Sequence, residues 1–542
     1  QTSDRQTVPD NPFLDRINVD LTGSVYHHDI DGNQNRSFKE SGTHWLGDVA
    51  QEAGRDLGRG HVFEIQSNIR GTDDPQVSPD KRWQLQSMYG EFRRENDYRL
   101  RLGNVSASFT DYSLSSSADL GLYYHRHARA DTGWEWQAYL SRPRRATGNQ
   151  FRRNNIGVRA STDRPGEILR QYGFNAVYTE DDDGSSGNGN RAVENRVLSA
   201  DGQLAVTPDF IVDGEIAHTR TDTDVTSNLK SIDDWAWKLD GTYTLADTGA
   251  FRQGQIDLYY EEVQPDFRST SGGGSPDQRR IRGQISGVHY FDANGPGINL
   301  SYSGEQTSDN LDNQGPRETE TNTHQLRASV SPYEARELGD GRWDRFRKHL
   351  RVVTRFRYHD VETSDTTIDR ETREQNYRLQ SRVDNHRISG FFKYRANDDQ
   401  TSGGVDRRRR NYGFDYTYRQ FEGLYLGSQP IPADLRLDWT RTEDGQENGS
   451  GGSDQTRWHA GTTLYLTGDY RFTLDWRQQD TDNNGANNDF EKTTWDLGLL
   501  GHRILNDRGQ LNLSYRINDV DEENSANSYR EETLRADLEF EF

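Results

Sequence analysis

Leu534-Arg535-Ala536-Asp537-Leu538-Glu539-Phe540-Glu541-Phe542 alternates without a break. In an extended chain successive side chains point to opposite faces. Leu534, Ala536, Leu538, Phe540 and Phe542 therefore share one face, and Arg535, Asp537, Glu539 and Glu541 share the other. A soluble core cannot bury the charged face, and water does not favour a continuous apolar one. A wall between hydrocarbon and water accommodates both.

The same pattern recurs along the chain. Tyr470, Phe472, Leu474 and Trp476 alternate with Arg471, Thr473, Asp475 and Arg477. Leu350, Val352, Phe356 and Tyr358 alternate with Arg351, Arg355 and Arg357, and Trp235, Trp237, Leu239 and Tyr243 with Lys238 and Asp240. Trp134, Trp136, Ala138 and Leu140 repeat it nearer the start. Repetition on this scale predicts an all-β protein: a single large antiparallel transmembrane β-barrel, apolar outside and polar inside, in the bacterial outer membrane. Phe540 and Phe542 resemble the terminal aromatic signal by which the barrel assembly machinery recognises such proteins.

Connections alternate in length, which sets the topology. Counting back from the C-terminus, Asn518 to Arg530 is long, Asn506 to Gly509 tight, Gln478 to Lys492 long, and Thr467 to Asp469 tight. Further back, long polar segments fall near Thr442 to Gln455, Ala396 to Arg409 and Val263 to Arg280, and tight ones near Asp384 to His386 and Thr207 to Asp209. Short periplasmic turns alternating with long extracellular loops give about 26 strands, within a range of 22 to 26, over residues 16–542. Pro332 to His349 falls on the short-turn side yet is long, and is expected to hold a short helix. Residues 1–15, with Pro9 and Pro12, read as a periplasmic tail or a segment tucked into the lumen. The absence of an initiator Met and leader at Gln1 reads as a mature chain with its signal peptide cleaved.

Composition narrows the alternatives. Of 542 residues 30% are hydrophobic, too few for a conventional core, yet 11% are aromatic, too many for a disordered chain. There is no Cys, so thiolate metal sites and covalent haem attachment are excluded, and any haem must belong to a partner. No run approaches the ~20 apolar residues of a membrane helix. The net charge of -22 argues against nucleic-acid binding, and with seven Lys among 66 basic residues arginine carries almost all the positive charge.

Several local patterns are candidate sites. Asp480, Asp482, Asn484, Gly485 and Glu491 follow the spacing of a calcium loop. Asp480, Asp482, Asn484, Asp489 and Glu491 are the expected ligands, although Asn487 stands where such loops carry an apolar residue and the flanks read as strands. A solvated polar loop is the competing reading. Asp29, Asp31, Asn33, Asn35 and Glu40 form a looser version. Arg407, Arg408, Arg409 and Arg410, and a second cluster of Arg142, Arg144, Arg145, Arg152 and Arg153, suit the phosphates of lipopolysaccharide, or pair with nearby carboxylates. His125 and His127 share a strand face with Tyr123 and read as lumen or girdle residues. No catalytic constellation stands out, so an enzyme is not expected.

In strand number, polar inward faces and lack of a plug domain, the whole chain resembles the barrels that sheathe multihaem cytochromes in porin-cytochrome conduits, the MtrB/PioB type. Phe392-Lys393-Tyr394-Arg395-Ala396-Asn397-Asp398-Asp399 and Leu474-Asp475-Trp476-Arg477 resemble phrases of that family, whose N-terminal Cys-x-x-Cys pair is missing here. The resemblance implies a multihaem cytochrome, or another lumen-filling protein, as partner and no redox chemistry of the barrel's own. Two other classes remain open. One is a general or polymer-exporting porin with inward-folded loops, and the other is a structural anchor for a surface layer or filament through acidic, calcium-binding loops.

Overall fold

The computed structural model describes residues 15–33, 41–74, 83–128, 133–144, 151–164, 167–185, 191–225, 231–247, 251–290, 297–312, 314–315, 317–332, 339, 341–364, 368–401, 404–446, 451–483, 489–503, 508–523 and 525–541. The expected tail, residues 1–15, thus lies almost wholly outside the described residues, as do Asn35, Glu40, Arg145, Asn484, Gly485 and Phe542.

The strands are β1 Arg16–Gly32, β2 Gly42–Gly58, β3 His61–Thr72, β4 Trp83–Arg94, β5 Tyr98–Ser108, β6 Ser115–Arg126, β7 Trp134–Arg144, β8 Arg152–Asp163 and β9 Leu169–Asp182. They continue with β10 Glu194–Thr207, β11 Phe210–Asp222, β12 Ile232–Leu245, β13 Phe251–Val263, β14 Gln278–Tyr290, β15 Gly297–Asp309, β16 Thr319–Val330, β17 Arg351–Thr363 and β18 Asp369–Val383. The last are β19 His386–Asp399, β20 Arg407–Leu426, β21 Gln429–Gln446, β22 Gly452–Tyr465, β23 Tyr470–Asn483, β24 Phe490–Arg503, β25 Gly509–Glu522 and β26 Tyr529–Glu541. Each pairs antiparallel with its sequence neighbour, and β1 pairs with β26 from Asp20 opposite Glu541 to Gly32 opposite Tyr529. The sheet is therefore a closed 26-strand barrel with no free edge. Among the described residues the one α-helix, α1 Arg342–Lys348, lies in the long connection between β16 and β17, where a short helix was expected.

The two faces divide as the alternation requires. Leu102, Trp136, Leu198, Leu239, Leu258 and Leu538 are among many large apolar side chains left 38–61% exposed on the outside. A soluble protein would not leave so large an apolar surface to water. With hydrocarbon outside it is a lipid-facing belt, and the protein is an outer-membrane barrel. Aromatic pairs flank the belt, with Trp45 against Trp83 at 5.4 Å on the long-loop side and Phe210 against Tyr243 at 6.2 Å and Trp134 against Tyr172 at 5.5 Å on the short-turn side. Leu239 sits midway along β12 and is half exposed. Leu239→Arg is expected to cost about 2–4 kcal/mol at the bilayer midplane, measured as reversible unfolding in lipid against Leu239→Ala.

Turn chemistry explains the tight side. Arg59 and Gly60 connect β2 and β3 with φ of +55° and +78°, the left-handed pair that a two-residue hairpin requires. On the long-loop side the strands outrun the expectation. β21 runs to Gln446 and β22 begins at Gly452, where Thr442 to Gln455 was expected as loop, and β19 continues to Asp399. The reason is physical. Polarity on both faces marks where a strand leaves the membrane, whereas the ladder's hydrogen bonds hold equally well in water, so the wall continues beyond the bilayer.

Candidate functional site: the lumen

The described interior has two different arcs. On the first, from β5 to β13, the barrel is lined by its own loops. Residues 109–114, between β5 and β6, carry Phe109, Tyr112 and Leu114, three apolar side chains in an otherwise polar connection. They fold inward and meet residues 264–277, between β13 and β14: Gly273 N donates to Asp111 O at 2.6 Å and Ser115 N to Ser271 O at 2.7 Å. Tyr112, 1% exposed, packs with Phe267 against Ala217, Ala236 and Val263 on the inner wall. Leu114 packs with Val105, Ala107, Tyr139, Val177 and Val197.

Polar contacts fix this lining in place. The Tyr112 hydroxyl donates to Glu261 at 2.8 Å, and its backbone N–H donates to Glu215 at 3.2 Å. Burial, and then the bond to Glu261, push the Tyr112 phenol far above its ordinary range, so it stays a neutral donor. Lys238 bonds Asp111 and reaches Glu215 at 3.4 Å. From the other loop, Arg268 O accepts from Asn195 at 2.6 Å, and the Thr179 and Ser271 hydroxyls lie 2.7 Å apart. Gly272 allows the close approach, since a Cβ there would lie 2.3 Å from Tyr112 O.

The second arc, from β21 through β26 to β1, is lined by side chains of the wall itself. His459 joins Asp438 at 2.9 Å and Asp475 at 2.7 Å. Arg477 reaches Asp496 at 3.2 Å, Arg516 bonds the same carboxylate, and Arg535 bonds Asp537 at 2.7 Å. Asp537 in turn accepts from Ser24 across the closing seam. A groove of about 1050 Å³ runs along part of this arc, beside Asp438, His459 and Asp475. Partly exposed pairs of this kind contribute little stability, about 0–1 kcal/mol each. They set fixed, alternating charge along this face of the lumen.

A third charged centre lies near the short-turn end of β3 to β5. Glu91 is 1% exposed and is held by Arg101 at 2.7 Å, Arg93 at 3.0 Å and Arg99 at 3.4 Å. Its neighbour Glu64 takes Arg16 at 3.2 Å and Arg93 at 3.3 Å.

Arg407 to Arg410 open β20 and split between faces by alternation. Arg408 and Arg410 share the outward face of Phe414, where Arg408 pairs with Asp398 and Arg410 approaches Glu443 at 3.8 Å. In the other cluster, Arg153 forks onto Asp181 at 2.8 and 3.0 Å and Arg152 bonds Asp182. Asp480 and Asp482 lie near the end of β23, Glu491 sits opposite Asp480 on β24, and Gln478 donates to Glu491 at 2.9 Å. Asp489 accepts from Asn483 N at 2.7 Å, and Asn484 lies outside the described residues. In the looser pattern Asp29 and Asp31 lie on β1 and Asn33 follows it. His125 and Tyr123 face the lumen, one of the two places the sequence left open for them. The reading of the sequence did not single out Tyr112, Phe267, Glu91 or Glu135. Only the first two carry a local signal, as large aromatics in otherwise polar loops.

Phe540 lies on β26 opposite Leu21 of β1 and Gly509 of β25. Phe540→Ala is expected to lower the fraction of chains that assemble, read as the heat-modifiable band in unboiled gels, while leaving the melting temperature of assembled barrels within a few degrees.

No family model matches the chain, and no curated protein matches it. Among solved structures, it is similar to Acinetobacter baumannii OccAB3 at 11% identity and a TM-score of 0.27, covering 97% of this chain and 99% of that one. It is similar to an anion-selective porin from Comamonas acidovorans at 10% identity and a TM-score of 0.30, covering 54% and 88%. It is also similar to a chain of the E. coli P pilus tip assembly intermediate PapC-PapD-PapK-PapG at 10% identity and a TM-score of 0.48, covering 92% and 63%. The barrel fold rests on the closed ladder itself.

Proposed function

We propose that this outer-membrane pore barrel is a trans-envelope conduit whose lumen holds a folded partner protein. The observation that carries this reading is the lumen's size set against its lining. At a strand spacing of ~4.8 Å and a tilt of ~40°, a ring of this strand number is roughly 50 Å across between opposite backbones. The inward loops 109–114 and 264–277 lie flat on one arc, and among the described residues the facing arc of Arg, Asp and His side chains has no such loop over it. An unfilled lumen of this width would leak, and barrels this large need a plug or a partner. A multihaem cytochrome, the partner that the family resemblance implies, would be insulated from lipid by the wall while the free arc matched its surface charge.

A second reading, a porin, draws on the same inward loops, which would narrow the lumen from one side as a selectivity lining does. The experiment that separates the two is extraction from native membranes in mild detergent, followed by a visible spectrum and mass spectrometry of what co-purifies. A stoichiometric soluble protein, with haem absorbance if it is a cytochrome, supports the conduit. A barrel that purifies alone and conducts ions in planar bilayers overturns it in favour of the porin.

The outer rim fits the remaining roles. Arg408 and Arg410, on the lipid side beyond the apolar belt, would take lipopolysaccharide phosphates. Asp480, Asp482, Asp489 and Glu491 share a rim cavity with Asp454, Asp521, Glu522 and Glu523. Calcium held there would serve a surface anchor, and a calcium-dependent surface partner is the result that would favour that role.

A further inference from the structure

We infer that His125, His127 and Glu135 form a binding site for a divalent transition-metal ion at the periplasmic mouth of the lumen. Among the described residues this is the only group of three His, Cys, Asp or Glu whose donor atoms all lie within 4.8 Å of one another. His125 is the penultimate residue of β6, His127 follows two residues later on the same face, and Glu135 is the second residue of β7. The hairpin register sets His125 opposite Gln137, which brings the carboxylate of Glu135 beneath the two imidazoles.

The geometry suits coordination with little movement. His125 Nε2 lies 2.8 Å from Glu135 Oε1, and the two imidazole centroids are 4.2 Å apart. Zinc holds nitrogen and oxygen donors at about 2.0–2.2 Å, which sets neighbouring tetrahedral donors roughly 3.4 Å apart. Side-chain rotation alone therefore brings these three to bonding distance. The carboxylate is already oriented, since Gln137 Nε2 donates to Glu135 at 3.0 Å and Tyr123 donates to the Gln137 carbonyl at 3.2 Å. His127 N donates to Asp97 O at 2.9 Å, which fixes the backbone where it leaves the strand. Such outer contacts are what fix ligand orientation at metal sites.

The donor set also selects the ion. Two imidazoles and one carboxylate favour zinc, cobalt or nickel, whereas calcium and magnesium prefer oxygen throughout. All three side chains are partly exposed, so a fourth position stays open to lumen water. Arg99, opposite His125 on β5, opposes the ion's charge, and Glu91 at 3.4 Å from Arg99 offsets it.

The test is a Co²⁺ titration of the detergent-solubilised full-length barrel, purified without a polyhistidine tag and stripped with chelator. The expected result is one equivalent bound with visible d–d bands, displaced by Zn²⁺ and not by Ca²⁺. His127→Asn and Glu135→Gln are each expected to weaken binding at least about tenfold. Heat-modifiable migration confirms that each variant is folded, and if one fails to assemble the other carries the comparison. No d–d band in the wild type, or the same band in His127→Asn and Glu135→Gln, overturns the site. The readout involves neither conductance nor a co-purifying protein, so it is independent of how the lumen is used.

Discussion

Tyr112→Ala is expected to raise the ion conductance of the reconstituted barrel and make it noisy, with little change in the temperature at which the wall melts. Tyr112 is fully buried between the inward loop and the wall, against Phe267, Ala217, Ala236 and Val263. Truncating a buried aromatic costs about 3–5 kcal/mol. Here that cost falls on the docking of two loops, because every wall strand keeps its ladder. Loss of the hydroxyl also leaves Glu261 without its 2.8 Å donor. Gly272→Ala should reproduce the effect from the opposite loop by pressing a methyl group into Tyr112 O. If both variants conduct as the wild type does, the two segments do not limit the lumen. If both melt far below it, the loops are part of the wall's stability.

The second large effect is expected at Glu91. Glu91→Gln removes the charge that faces Arg93, Arg99 and Arg101 and leaves three guanidinium groups crowded together. Breaking a buried pair costs about 3–5 kcal/mol, and partial exposure of the arginines brings the expectation down to about 2–3 kcal/mol. The barrel should show a lower heat-modification midpoint that high salt partly restores, because screening weakens repulsion among exposed charges. Glu91→Gln combined with Arg101→Met should recover part of the loss. An unchanged midpoint in the single variant would mean that water already screens the cluster.

The wall was legible in the sequence because period two carries its own proof. The charged and apolar faces of β26, β23 and β12 could each be read from fewer than ten residues, and alternating connection lengths then set both topology and strand number. What lines the lumen was not legible, because it depends on register. Asp438, His459 and Asp475 come from three successive strands with no local pattern linking them, and they meet only because β21, β22 and β23 pair as they do. Glu135 reaches His125 for the same reason. Phe109, Tyr112 and Phe267 are aromatics within polar connections, and nothing in a linear pattern says that two segments so far apart in the chain will pack together. On the long-loop side the strand ends were placed too early, since polarity locates the membrane surface and not the end of a ladder.

The seam between β1 and β26 has a consequence for how such a molecule can come into being. Ser24 and Asp537, bonded across it, are 513 residues apart in the chain. Bringing two such points together in a random coil costs roughly 5–6 kcal/mol of loop entropy beyond a constant, before any ladder bond is made. Growth by hairpins avoids that cost, since each new strand returns on its neighbour in sequence and closes only a local loop. The final encounter is then between two rims of one curved sheet, and curvature, not diffusion of a chain, delivers them to each other. Until that moment both rims display unpaired N–H and C=O groups in a membrane that cannot satisfy them. The ring is therefore most vulnerable one strand short of completion, and substitutions at the seam should act on the yield of closed rings more than on their durability.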